Sequence, residues 1–176
     1  MQMVLPEWLR MSSQASSLYR NHRVAPRFST EKMILNALEG GNVKNLGPET
    51  RYWLHRELSR LVEEETLMRY KLWGEGLRQY RRILDGEDPR KGVGQHRDQQ
   101  ACISCGSPLV YSMIECVCTP KVASCLHHRR HLCRCRADRQ RLAWRYSVGE
   151  LESRVTELQE SLDPGIVAEI EGQEAA

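Results

Sequence analysis

All seven cysteines of this 176-residue chain fall between Cys102 and Cys135, in company with His127, His128 and His131. They read as four chelating pairs: Cys102-x2-Cys105, Cys116-x-Cys118, Cys125-x2-His128 and Cys133-x-Cys135. Two donors one or two residues apart can be aimed by a tight turn at a single ion, and four such donors close a structural Zn²⁺ site. Four pairs therefore fill two tetrahedral zinc sites. A stretch of about 34 residues with few large apolar side chains cannot offset its own ordering entropy by burial, so metal is expected to supply much of its folding free energy. The finger is expected to be unfolded without it.

Spacing alone does not say which pairs share an ion. Sequential pairing, first with second and third with fourth, satisfies it as well as an interleaved cross-brace does. Interleaving ties the whole segment into one compact unit, and on that ground Cys102, Cys105, Cys125 and His128 are assigned to one ion and Cys116, Cys118, Cys133 and Cys135 to the other. His128 is preferred because its spacing from Cys125 matches the first pair, whereas His127 leaves one intervening residue and His131 leaves five. The odd number of cysteines also calls for a histidine. A disulfide framework would need an oxidising compartment and would leave one cysteine unpaired, and no basic start followed by an apolar run opens the chain.

With 40% hydrophobic residues, 28% charged residues and a formal charge of +3, the chain is long enough for one ordinary domain plus a small module. No apolar run approaches the roughly 18 residues needed to cross a bilayer, so no membrane role is expected. One Phe, six Tyr and four Trp leave the core to Leu, Ile, Val and Met, too little for a large enzyme barrel.

The spacing predicts a helix from Pro6 to about His22, with Trp8, Met11, Ala15, Leu18 and Tyr19 on one face. After Pro26, Ser29 or Thr30 can cap a second helix bearing Met33, Ile34, Ala37 and Leu38, ended by Gly40 and Gly41. The longest pattern, Glu49 to about Trp73, repeats Trp53, Leu54, Leu58, Leu61, Val62 and Tyr70 at threes and fours. Its other face is expected to be exposed, with Arg51, Arg56, Arg60, Glu63, Glu64 and Glu65 as a solvated surface. Gly74 and Gly76 interrupt the pattern, which Leu77, Tyr80, Ile83 and Leu84 should resume as a kinked continuation or a separate short helix. Core packing is the first expectation for Trp8, Tyr19, Trp53 and Trp73, and contact with a neighbouring domain the second.

Residues 85–100 have linker composition. Beyond the cysteines, Leu142, Trp144 and Tyr146 alternate as in a strand. Ser147 with Glu150 makes a capping box for a helix bearing Leu151, Val155, Leu158 and Leu162, which Asp163-Pro164-Gly165 stops. The acidic end from Ile166 to Ala176 should either fray or begin a further helix. The fold class is mainly α, a helical bundle with a small cross-braced two-zinc finger module and a C-terminal helix. The expected units are a helical domain (1–84), a polar linker (85–100), the two-zinc finger (101–136), a strand-like segment with the C-terminal helix (137–162) and an acidic tail (163–176).

The string CISCGSPLVYSMIECVCTPKVASCLHHRRHLCRC, followed by RLAWRYSVGEL, resembles the five-cysteine, histidine, two-cysteine zinc finger of the JARID/PLU-1 branch of JmjC histone lysine demethylases. Upstream, PEWLRMSSQASSLYRNHRVAPRFSTEKMILNAL is similar to the helical segment that follows the JmjC barrel in that family. Leu142-Ala143-Trp144-Arg145-Tyr146 stands where the family usually has Leu-x-Tyr-Arg-Tyr, a departure that touches no ligand. The resemblance implies the cross-braced pairing of the same eight ligands. It also implies a nuclear chromatin regulator whose oxidative demethylation of histone H3 lysine uses Fe(II) and 2-oxoglutarate. That iron site needs two histidines and a carboxylate inside a barrel. His55-x-Glu57 falls on a predicted helix and His96-x-Asp98 in the linker, so no catalytic site is expected on this chain.

The expectation is a non-catalytic module that supports the JmjC catalytic domain of the same parent protein. An alternative of another class is binding to DNA or chromatin through Arg129, Arg130, Arg134, Arg136, Arg139 and Arg141, a run opposed only by Asp138. Against it stand the acidic helix next in sequence, which could fold over the patch, and a spacing unlike that of fingers that present a helix to the major groove. A RING-type ubiquitin ligase would need x2 pairs where this chain has Cys-x-Cys twice.

Overall fold

The computed structural model describes residues 6–39, 42–83 and 100–174. Its spine is α3 (Pro48–Gly74). Pro48 opens that helix at the position where its fixed φ helps and its missing N–H is not needed. At the other end the N–H groups of Glu75 and Gly76 return to the carbonyls of Lys71 and Trp73, and Gly76 turns the chain away at φ +94°. Two further helices, α1 (Pro6–Asn21) and α2 (Thr30–Glu39), lie against α3. Ser29 caps α2, its hydroxyl accepting the N–H of Lys32 at 3.2 Å.

Later in the chain, α5 (Val148–Glu160) packs along α3 through Leu151 and Leu158. Its capping box is formed as expected, with Ser147 accepting from the Glu150 N–H and Glu150 accepting from the Ser147 N–H. The acidic end takes the second of the two expected forms: it is a helix, α6 (Pro164–Glu174). The Asp163 carboxylate accepts the N–H of Gly165 at its start, and Val167 and Ile170 rest on the same core as α5.

α1, α2, α5 and α6 all contact α3 and leave it one solvated stripe, through Glu49, Arg56, Glu63, Leu67 and Tyr70, the last of which was expected on the packed face. Consecutive residues on a helix point about 100° apart, yet Tyr52, Trp53 and Leu54 are all buried. Covering three successive directions requires neighbours on more than one side. The residues expected on a solvated face are correspondingly engaged. Arg51 donates to the carbonyl of Ser161, Glu57 is buried and accepts from Ser12 and Arg60, Glu64 accepts from Arg20, and Glu65 accepts from Ser112 and Arg69. Of that set, Glu63 and Arg56 are exposed, and Arg56 lies over the Trp53 ring.

The face of α1 is also the reverse of the expected one. Leu9 is its buried residue, and Ser12 and Arg20 face α3 through Glu57 and Glu64. Trp8, Met11 and Leu18, the apolar stripe, are 57%, 67% and 57% exposed. Trp53 is in the core, whereas Tyr19 and Trp73 are exposed.

The largest departure follows α3. Residues expected to resume a helix instead form β1 (Gln79–Arg82), with Leu77 and Ile83 buried on either side and Leu84 outside the described residues. β1 runs parallel to β3 (Gln140–Trp144), and β3 runs antiparallel to β2 (Ser112–Cys116). The order is β1-β3-β2, with Ile114 opposite Leu142 and Tyr80 beside it. Strand pairing can draw on partners far away in sequence, so the local apolar spacing does not decide between helix and strand here. β1 precedes the cysteine segment and β3 follows it.

The cysteine segment consequently does not lack a hydrophobic core. Ile114, Leu126, Leu132 and Leu142 pack with Leu72 and Leu77, and Leu109, Met113 and Ala143 pack with Ile83. The helical half supplies the large apolar groups that the segment itself is short of.

Between the two halves, Glu64 on α3 meets Arg20 from α1 and lies 2.8 Å from His127 Nε2. The hydrogen bond from His127 and the charge of Arg20 hold this carboxyl far below its ordinary 4.5, outweighing the upward push of burial. A depressed carboxylate stabilises the fold fully above its unfolded value and progressively less as pH falls toward its folded one. Glu64→Gln should therefore lower the urea midpoint at pH 7, and the gap to the parent should narrow as pH falls below about 4.5. Urea titrations of the two proteins at several pH values measure that gap.

Candidate metal centres

The donor atoms stand in two groups. Cys102, Cys105 and Cys125 Sγ with a ring nitrogen of His128 form one, and Cys116, Cys118, Cys133 and Cys135 Sγ form the other, every donor lying within 4.8 Å of its companions. In the first, Cys105 and Cys125 are 4.0 Å apart and His128 Nδ1 lies 3.2 Å from Cys125 and 3.9 Å from Cys102. In the second, Cys118 is 3.3 Å from Cys116 and 3.5 Å from Cys135. Sulfurs about 2.3 Å from a tetrahedral ion sit about 3.8 Å from one another, so both groups have the dimensions that zinc requires.

Local structure explains the aim of each pair. The backbone from Cys102 to Gly106 closes a tight turn, the Gly106 N–H bonding the Cys102 carbonyl at 2.8 Å, and Ile103 bonds across to Ala123. Ile114 and Ser124 exchange both backbone hydrogen bonds, which brings the strand before Cys125 alongside β2. A 3-10 turn (Leu126–His128) then leads into α4 (Arg129–Leu132), and its first hydrogen bond, His128 N–H to the Cys125 carbonyl, folds the imidazole back beside the Cys125 sulfur. Cys116 ends β2, and Cys133 and Cys135 follow α4 on the way to β3. The first and third pairs thus meet, and so do the second and fourth.

Of the three histidines, His128 alone joins a donor group. His127 turns to Glu64 and Arg20, and His131 stacks edge-on against the His128 ring at 5.4 Å between centroids. Sequence reasoning missed Gln140, which is buried and bridges the site to its surroundings. Its amide N–H donates to Cys133 Sγ at 3.3 Å and its carbonyl accepts from Arg129 at 2.9 Å. Donors to ligand sulfurs orient them and moderate their charge. The N–H of Ser104 does the same for Cys102. Nothing in the local spacing marks Gln140, because β3 carries it to the sulfur.

Crowding the sulfurs also separates their acidities. Hydrogen bonds from Cys105 and then Cys125 pull Cys102 down to about 2, and contacts with Cys102 and then Cys105 push Cys125 far above the usual thiol range. In the second group burial comes first, pushing Cys116 up to about 12. One thiolate makes its neighbours hold their protons. Only a cation among them lets all the donors deprotonate together, which is the state zinc binds.

Two of the arginines expected in a surface patch are engaged in ion pairs, Arg129 largely buried and Arg141 partly exposed. Arg129 pairs with Glu75 as well as Gln140, and Arg141 pairs with the buried Glu115, which Arg81 grips from β1. Burial alone would raise the Glu115 carboxyl, but the bonds from Arg81 and Arg141 keep it below its ordinary value. Arg130, Arg134, Arg136 and Arg139 are exposed. Of the two His-x-acid strings, His55 and Glu57 lie on α3, where Glu57 is held by Ser12 and Arg60, and His96-x-Asp98 lies outside the described residues.

The C5HC2 zinc finger family model matches residues 102–154. This chain carries a C5HC2 zinc finger. Similarity extends well beyond the finger. Lysine-specific demethylase JMJ17 of Arabidopsis thaliana is 32% identical over 153 residues, which is 87% of this chain and 12% of that protein. Lysine-specific demethylase 5D of Homo sapiens is 28% identical over 86% of this chain and 9% of its own length, and lysine-specific demethylase 5B of Gallus gallus is 23% identical over 82% and 9%. The JARID-type resemblance holds for the finger and the helices together, and the chain spans a small part of the relatives it matches. No helix among the described residues is long and apolar enough to cross a membrane.

Gly106 joins the first chelating turn to the helical half. It sits at φ +67°, and a Cβ there would lie 2.6 Å from Ala25 Cβ and 3.1 Å from Ala25 Cα. The backbone conformation alone costs a side chain about 1–2 kcal/mol. Gly106→Ala should lower stability by about 2 kcal/mol or more, and adding Ala25→Gly should recover part of the loss. Thermal denaturation of the single and double variants measures both effects.

Proposed function

We propose that this chain is the helical and zinc-finger region of a JmjC-type histone H3 lysine demethylase, and that it supports the catalytic domain without performing chemistry itself. Two zinc ions cross-brace the finger, one on Cys102, Cys105, Cys125 and His128, the other on Cys116, Cys118, Cys133 and Cys135. A set of four protein donors leaves no open position for substrate or water, so both ions are structural. Oxidative chemistry with Fe(II) and 2-oxoglutarate belongs to a JmjC barrel elsewhere in the same parent protein, which acts on chromatin in the nucleus.

The observation that carries the supporting role is the outward stripe of α1. Trp8, Met11 and Leu18 recur at helical spacing yet face away from α3, with Phe28 against Trp8 at 6.4 Å between ring centroids. An apolar face of this kind is what a helix offers to a neighbouring domain. We read the helices and the finger as one working body, because β1 and the side chains of Leu72, Leu77 and Ile83 belong to the finger's sheet and core. Anchoring the stripe on a barrel would therefore place the whole region rigidly beside it.

Metal analysis should find two zinc ions per chain, falling to one in Cys118→Ser with loss of the near-UV signal of the finger. A folded parent protein free of metal would contradict the zinc reading. For the supporting role, Trp8→Ser with Met11→Ser and Leu18→Ser should leave the melting temperature of the chain unchanged and weaken its association with the barrel of its parent at least tenfold by calorimetry. Unaltered association would remove α1 from that interface.

A further inference from the structure

Arg130, Arg136 and Arg139 gather at one end of α3, together with residues from elsewhere in the chain. Gly76, just past that helix, faces Ala137, whose Cβ lies 3.9 Å from where a Gly76 Cβ would stand. Gln79 donates to the carbonyl of Asp138 at 2.9 Å. Arg130 reaches Glu75 at 3.8 Å and Arg136 reaches Asp138 at 3.8 Å, yet their side chains remain 81% and 90% exposed. Arg139 is exposed in the same short turn. Arg78 bonds the Trp73 carbonyl and lies 4.8 Å over the Trp73 ring, which is itself 53% exposed.

We infer that this surface, built from Arg78, Arg130, Arg136 and Arg139 around Trp73, binds the phosphate backbone of duplex DNA without reading its sequence. The inference does not depend on the supporting role proposed for α1. Arg78 and Trp73 lie outside the cysteine segment, and tertiary structure alone unites them with the finger's arginines. Two acidic groups stand among these arginines, Glu75 and Asp138. Glu75 is already engaged with Arg129 and Arg130, and Asp138 with Arg136. The acidic helix α5, which could have covered the arginines, is seated on α3 through Leu151 and Leu158, and its Glu150 pairs with Arg82. Several guanidinium groups spread over two segments suit a row of phosphates. α4 has four residues and offers no helix long enough to enter a major groove, so the contacts are to the backbone.

Fluorescence anisotropy of the zinc-loaded chain with two 20-base-pair duplexes of unrelated sequence tests this between about 50 and 200 mM salt. Both duplexes should bind alike, with log K falling against log salt at a slope near about −3.6 for four phosphates. Arg136→Glu with Arg139→Glu should weaken binding at least tenfold at low salt and roughly halve that slope, with zinc content unchanged. Arg78→Glu, outside the finger, should weaken it at least threefold. A control with the same charge change on the segment between α1 and α2, outside the proposed surface, Arg23→Glu with Arg27→Glu, should bind like the parent. The inference is overturned if the parent shows no affinity at low salt or if the control loses as much as the patch variant. It is equally overturned if polyglutamate binds in place of the duplex, since the surface would then suit an acidic polypeptide.

Discussion

Two groups of four donors, drawn alternately from the chain, govern the architecture of the second half. The turn at Cys102 and Cys105 meets Cys125 and His128, and the pair at Cys116 and Cys118 lies between them in sequence but closes with Cys133 and Cys135. Neither group can close without shaping the other, because each loop that completes one site contains half of its counterpart. β2 and β3 are the bars that hold this arrangement open. β2 ends on Cys116, and β3 begins on Gln140, which donates to Cys133. A ligand and the bond that orients a second ligand therefore sit opposite one another across a single strand pair.

The same strands tie the donor groups to the helices. β1 extends from the end of α3 and pairs with β3, so residues on both sides of the cysteine segment share one sheet. Glu115, itself buried, collects Arg81 from β1 and Arg141 from β3, a charge triplet spanning all three strands. Removing one partner from such a set leaves charge without compensation, which costs more than the pair contributes. Farther along α3, Glu64 joins α1 to the turn that carries His128, and Glu65 joins the helix to Ser112 on β2. The helices and the metal-binding half meet through a shared core and a line of carboxylates.

Much of the site was legible because metal ligation is a local grammar. Cysteine and histidine at chelating intervals announce themselves whatever surrounds them, and His128, favoured by spacing over His127 and His131, stands beside Cys102, Cys105 and Cys125. Capping is equally local, as Ser147 and Glu150 demonstrate. Periodicity succeeded for α3 and α5 in locating a helix, and failed in saying which of its faces is covered. On α1 the apolar residues Trp8, Met11 and Leu18 look outward, while Ser12 and Arg20 face the core because Glu57 and Glu64 of α3 are there to receive them. No pattern within α1 contains that information. The stretch around Tyr80 and the role of Gln140 were hidden for a related reason: both depend on β3, some sixty residues beyond the former in sequence.

The amino-acid sequence by itself determined the chelating intervals, the positions of the long helices and the ends set by Pro48, Ser29, Ser147 and Asp163, because each of these depends on neighbours within a few residues. Tertiary structure decided how the parts face one another: that α3 is flanked by four helices, that β1 completes a sheet with the far side of the finger, and that Arg129 and Arg141 are drawn into ion pairs with Glu75 and Glu115 while Arg130, Arg136 and Arg139 remain at the surface. The physical reason is range. Turns, caps and chelation are settled by short segments of backbone, whereas strand pairing, burial and charge compensation depend on which distant residues arrive to fill the space.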